Sequence, residues 1–185
     1  MSMTSERGLS LIELLAFIVV VGVAVGGVLS VYSLAARSSA DPVVRKQALA
    51  IAESLLEEVL AMPYTYCDPD DAQADTATSS AMGPAGCATT PEEMGEEGTE
   101  DRYSNLMPYD NVNDYDGFSM TGIHDVNNDQ APGLDGYAAQ IAVSPAGAFN
   151  GIPAGETLLV TVTVTAPGNH NISLSGYRTR HAPNF

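Results

Sequence analysis

Positive charge is what this chain has least of. Its 185 residues carry 7 Lys and Arg against 23 Asp and Glu, a net charge of -16. That shortage excludes nucleic acid as a partner, because phosphate binding needs cationic patches. It also disfavours docking on anionic lipid headgroups. The excess acid reads as a solvated surface that aids solubility. Cysteine is nearly as scarce: Cys67 and Cys87 are the only two, with no CxxC and no histidine close by, so the sequence offers no support for a zinc site. The three histidines, His124, His170 and His181, are scattered, and neither G-x-S-x-G nor H-E-x-x-H occurs. An enzyme would need such a constellation, so the sequence predicts a non-catalytic protein.

What the chain does have is one long apolar run near its amino terminus. From Leu14 to Leu29 every residue is aliphatic, aromatic, Ala or Gly, and a single glutamate, Glu13, stands at its mouth. A carboxylate in lipid costs ~2.5–3.5 kcal/mol at a helix centre and less near the end, so Glu13 needs a specific partner. An ordinary secretory signal, with Arg7 as its basic region, does not account for it: the run is too long and the charge lies inside it. The segment Gly8-Leu9-Ser10-Leu11-Ile12-Glu13 resembles the leader junction of type IV prepilins, with Leu9 and Ser10 where that family usually has Phe and Thr. The resemblance implies cleavage after Gly8 by a prepilin peptidase, N-methylation of the new terminus at Leu9, and a salt bridge from Glu13 to the terminal amine of a neighbouring subunit.

Leu9 to Leu34 would make a helix of about 39 Å, enough to cross a hydrocarbon core with some tilt. Gly22-x-x-x-Gly26 offers a surface for close helix packing, and Gly22, Gly26 and Gly27 mark where the helix would unwind on polymerisation. Counting cations alone favours the opposite orientation, since Arg37, Arg45 and Lys46 follow the run and only Arg7 precedes it. The leader motif and the cysteines override that count and place the carboxyl-terminal part in the periplasm. There, a Cys67–Cys87 disulfide would close a loop too polar to supply a core, contributing ~3 kcal/mol on a chain-entropy estimate.

Beyond the run, Asp41-Pro42 reads as an N-cap followed by the first helical residue, predicting a kink or break near Ser38 to Asp41. Ala48, Ile51, Ala52, Leu55, Val59 and Met62 recur at helical spacing, with Leu49, Leu56 and Leu60 widening the stripe and Lys46, Glu53, Glu57 and Glu58 turned away. Pro63 ends the helix. Tyr64 to Asp135 is rich in turn residues and lacks periodicity; Tyr103, Leu106, Tyr109, Val112, Tyr115 and Phe118 are its expected anchors. Tyr137 to Val143, Thr157 to Thr165 and Ile172 to Thr179 alternate as strands, with a turn at Ala166-Pro167-Gly168-Asn169. The predicted organisation is a leader (1–8), a transmembrane assembly helix (9–36), an amphipathic helix (37–63), a loop-rich region with the disulfide (64–135) and an antiparallel sheet (136–185). The fold class is α+β, the amphipathic helix covering one face of the sheet.

That layout resembles a type IV pilin throughout. Ser39-Ala40-Asp41-Pro42, Ser54-Leu55-Leu56-Glu57-Glu58, Glu100-Asp101-Arg102 and Asn111-Val112-Asn113-Asp114-Tyr115-Asp116-Gly117-Phe118 are similar to the MshD-like minor pilins of MSHA pili. So are Gly136-Tyr137 and Ser175-Gly176-Tyr177-Arg178. The resemblance implies an inner-membrane precursor that later joins a pilus at the cell surface. Its partners would be the prepilin peptidase, other major and minor pilins and the inner-membrane assembly platform. A pseudopilin of type II secretion shares the same second helix and is the alternative. A periplasmic calcium module is another: Asp125, Asn127 and Asp129 place oxygen ligands at alternate positions. Against it, Gln130 stands where a calcium loop has glycine and Gly136 where it has glutamate; an Asx-capped turn accounts for the same residues.

Overall fold

Burial of two apolar surfaces against each other organises the described part of the chain, which in this computed structural model comprises residues 10–148, 150–168 and 170–180. The elements run α1 (Leu11–Ala61), a 3-10 turn η1 (Asn113–Tyr115), β1 (Ser119–Thr121), β2 (Ala138–Pro145), β3 (Thr157–Ala166) and β4 (His170–Thr179). The chain divides into two units, Met1–Val43 and Val44–Phe185.

The expected break near Ser38 to Asp41 is not present. Asp41 and Pro42 both lie inside α1, so Asp41 is not an N-cap. Proline in a helix interior removes one hydrogen bond and costs ~3 kcal/mol. Propagation from established helix on both sides can absorb that loss, because only nucleation is unfavourable. Pro63 behaves as predicted, two residues after the helix ends at Ala61.

In the second unit the stripe on α1 is buried as its spacing requires: Ala48, Ile51, Ala52, Leu55 and Val59 are all below a tenth exposed. Leu56, Leu60 and Met62 pack at its margin, whereas Leu49, expected to widen the stripe, faces solvent. The sheet that receives it is a four-stranded antiparallel meander in the order β1-β2-β3-β4. Ile141 pairs with Val162 and Val143 with Val160, while Val162 pairs with Leu174 on the other side. Side chains of a strand alternate between faces, so Ala139, Ile141, Val143, Val160, Val162 and Val164 all enter the core. Thr161 and Thr163 turn outward, and their hydroxyls meet Ser175 and Ser173 at 3.0 and 2.9 Å. Helix and sheet approach closely at Gly176, where an added Cβ would come within 2.7 Å of the Leu60 Cδ1.

The α+β class is therefore observed, with one strand more than could be placed beforehand. That strand, β1, comes from the loop-rich region and pairs with β2. Of the expected anchors there, Val112 and Tyr115 are fully buried and Tyr109 and Phe118 pack against the core. Tyr103 stacks edge-on with Phe118 at 6.1 Å. Leu106 is not an anchor; it is 91% exposed in a tight turn. The predicted turn after β3 is present, with Gly168 at φ +83°, while Asn169 lies outside the described residues, as does His181.

Truncation separates the two faces of the sheet. Ile141→Ala should lower unfolding stability by about 2–5 kcal/mol, whereas Thr163→Ala on the outer face should stay within about 0.5 kcal/mol of wild type. Equal losses in denaturant titrations of the two variants would contradict this facing.

Candidate functional site

Two regions carry features that packing alone does not explain. The first lies in the amino-terminal unit. Leu11–Ser33 is long and apolar enough to span a membrane, with a mean hydropathy of 2.8, and none of it is buried. Between Leu11 and Ser33 the only acid is Glu13 and there is no base. Glu13 sits in the first turn of α1. There the unpaired N–H groups of a helix start favour negative charge. The Ser10 carbonyl accepts the backbone N–H groups of Glu13 and Leu14 at 3.0 and 3.1 Å. Gly22, Gly26 and Gly27 each face open space, where even a Cβ would touch nothing within 4 Å. That surface is free to receive another helix, and the Ser30 hydroxyl is turned back onto the Gly26 carbonyl at 3.0 Å. Gly8 and Leu9, the expected processing and methylation positions, lie outside the described residues.

The second region is the loop-rich part of the second unit. Cys67 and Cys87 are bonded, with their Cα atoms 5.5 Å apart, and both are fully buried. Asp71 gathers the loop they close. Its Oδ1 accepts from the N–H groups of Gln73 and Ala88, and its Oδ2 from those of Thr89 and Thr90 and from the Thr89 hydroxyl. These bonds to the charged form hold the Asp71 carboxyl well below its usual range.

Two arginines tie this region to the rest of the unit. Arg102 Nε and Nη2 grip Glu58 of α1 at 2.7 and 2.8 Å, a bidentate pair that the Tyr115 hydroxyl joins at 3.0 Å. Glu58, expected to face away from the core, is instead drawn to Arg102, whose side chain is only 3% exposed. Arg180 lies 3.6 Å from the Tyr64 ring centroid and 4.0 Å from that of Tyr66, within cation–π range. Its Nε donates to Glu156 at 3.0 Å and its Nη1 to the Thr65 carbonyl.

Between these anchors the carboxylates crowd. One oxygen each of Glu92, Glu97 and Asp114 lie within 4.8 Å of one another. Two full charges that close repel by about 3.5 kcal/mol at an effective dielectric of about 20. Burial, then the Asp114 and Glu97 carboxylates, push Glu92 up to about 10. Burial and Asp114 raise Glu100 to about 8 and Asp110 to about 7. Asp114 itself is raised, chiefly by burial, against the opposing N–H bonds of Asn111 and Asp110.

The calcium candidates Asp125, Asn127 and Asp129 lie apart from that cluster. Asp125 Oδ1 accepts the N–H groups of Asn127 and Asp129, both at 2.9 Å, and its Oδ2 faces the Asn127 amide. Those bonds, the Asp129 one foremost, lower the Asp125 carboxyl. The turn is the Asx-capped arrangement, with Asn128 in the left-handed region at φ 65°. Sequence reasoning missed Asp71, Glu58, Arg102 and Arg180 as partners. Arg102 and Arg180 were detectable as two of only 7 cations in an acidic chain, but their mates lie 44 and 24 residues away.

Two outcomes test this region. Arg102→Ala leaves Glu58 half-buried and unpaired and should cost about 3–5 kcal/mol, with Arg102→Lys restoring charge but not the bidentate grip. Full rescue by lysine in denaturant melts would contradict the grip. The second outcome is pH dependence with divalent ions chelated. Glu92, which faces Asp114, Glu97, Asp110 and Tyr64, binds its proton more tightly folded than unfolded, as do Glu100 and Asp110. Their contribution is complete below the unfolded value of about 4 and is lost as pH rises through about 7 to 10. Asp71 and Asp125 act oppositely, losing their contribution as acid protonates them. The thermal midpoint should therefore peak on the acid side of neutrality; a maximum above pH 8 would contradict it. Comparison with protein-family models, characterised proteins and solved structures finds no match to this chain.

Proposed function

We propose that this chain is a minor pilin, a structural subunit that enters a type IV pilus of the MSHA kind through its amino-terminal helix. The observation that carries the reading is Glu13: one carboxylate in the first turn of an unburied apolar segment that contains no base. The partner that satisfies it is the α-ammonium of an adjoining subunit. In low dielectric an amine and a carboxylate attract far more strongly than in water, and each removes the other's unpaired-charge penalty. The pair fixes register as well as energy.

On this reading the peptidase cuts between Gly8 and Leu9 and methylates Leu9, and the precursor waits in the inner membrane with its second unit in the periplasm. The Cys67–Cys87 bond fits an oxidising compartment of that kind. The open faces of Gly22, Gly26 and Gly27 suit contact with the helices of other major and minor pilins and of the assembly platform. The acidic second unit suits a soluble surface rather than a catalytic one. A subunit at the extreme tip has no neighbour above it to supply the amine, so Glu13 argues for a place below the tip.

Mass spectrometry of the membrane fraction tests the first step. Wild type should lose residues 1–8, and Gly8→Ala should remain full length; normal shortening of the variant would defeat the prepilin reading. Glu13→Ala should be processed yet enter sheared pili at least about tenfold less, equivalent to ~1.4 kcal/mol of lost pairing. Incorporation at the wild-type level would remove the proposed salt bridge.

A further inference from the structure

The geometry points to a calcium site built from Glu92, Glu97 and Asp114. It is distinct from the Asp125 turn and independent of the assembly role proposed above. Calcium takes oxygen ligands at about 2.3–2.6 Å, so ligand atoms on one ion lie no further apart than roughly 5.2 Å. The three carboxylates meet that bound. They bring only hard oxygen donors, which favours calcium over transition metals.

Crowded acids alone would not make a site; orphaned oxygens beside them point to a ligand. Asp114 is 1% exposed and its Oδ1 has no hydrogen-bond partner, although its Oδ2 is held at 2.8 and 2.7 Å by the N–H groups of Asp110 and Asn111. Both oxygens of Glu92 are also buried with no donor to meet them among the described residues; its carboxyl faces that of Asp114 instead. Asn113 is 5% exposed and its Oδ1 is likewise unmatched. The orientation of that amide is fixed, because its Nδ2 donates to the Glu93 carbonyl at 2.9 Å. Asn113 and Glu92 line one cavity of about 340 Å³, which also admits Glu93 and Met94.

A buried polar atom without a partner is costly, and one cation would satisfy several of these together. The surrounding backbone is already arranged to hold them. Glu97 Oε1 accepts the Glu93 N–H at 2.7 Å, and Gly95 donates to the Asn113 carbonyl at 3.0 Å. The ion would thus fasten the chain after the disulfide to η1, which carries Asn113 and Asp114. By contrast, none of the oxygens of the neighbouring group Asp68, Asp70 and Asp110 is a buried atom lacking a partner among the described residues.

The test uses the full-length chain in detergent micelles, melted in EGTA or in 5 mM calcium chloride and titrated with calcium by calorimetry. With a dissociation constant of ~10⁻⁴ M, typical of extracellular modules, 5 mM calcium raises the folded-to-unfolded ratio about 50-fold. Glu92→Gln and Glu97→Gln should each abolish the calcium shift and yet melt no lower than wild type in EGTA, because a neutral amide adds no charge to the ion-free cluster. That crossing pattern separates ligand loss from misfolding, and Asp125→Asn should keep the full shift. A wild-type chain with neither heat nor shift would overturn the site. So would a shift that survives in Glu92→Gln and Glu97→Gln and disappears in Asp125→Asn or Asp70→Asn.

Discussion

Two apolar surfaces in the second unit can leave water only against each other. One is the row Ala48, Ile51, Ala52, Leu55 and Val59 on α1; the other is the inward row of Ala139, Ile141, Val143, Val160, Val162 and Val164 on β2 and β3. An amphipathic helix of this kind gains most of its stability from packing rather than propensity, and a half-polar sheet needs a cover on its apolar face. Everything else in the unit is attached to that contact. Gly176 lets α1 settle near β4, Tyr115 and Val112 extend the core from the loop region, and the Tyr103, Tyr109 and Phe118 rings seal its margin.

The scarcity of cations shapes how the acidic loops are held. With 7 bases for 23 acids, most carboxylates have no opposite charge to meet. The structure uses its few arginines where one can do several tasks. Arg102 pairs with Glu58, also donates to the carbonyls of His124 and Asp125, and lies near the Tyr103 and Phe118 rings. Arg180 bridges Tyr64, Tyr66 and Glu156. Elsewhere backbone N–H groups stand in for cations, as around Asp71 and Asp125. Where such donors are too few, at Glu92, Glu97 and Asp114, the carboxylates crowd within 4.8 Å of one another and burial and mutual repulsion raise their proton affinity. Arg178 shows the converse, a guanidinium in the sheet whose Nε and Nη2 are buried without partners among the described residues.

The apolar segment Leu11–Ser33 obeys a different logic, since none of it is buried. An apolar helix of this length is stable only in lipid or among other helices. Glu13 is the one residue in it that demands a chemically specific neighbour.

Periodicity alone determined the buried stripe of α1, the three long strands and their inward faces, because regular spacing converts directly into which side chains share a face. Two cysteines and no third left one possible bond within the chain, favoured by the expected export to an oxidising compartment and present in the structure. The sequence could not reveal β1, the exposure of Leu106, the inward turn of Glu58 or the continuity of α1 through Pro42. Each depends on what a segment meets in space: β1 exists because β2 offers it an edge, and Glu58 turns inward because Arg102, 44 residues on, arrives beside it. Local pattern fixes which surface must be buried; only the folded chain decides which distant polar atoms come together, and which are left without a partner.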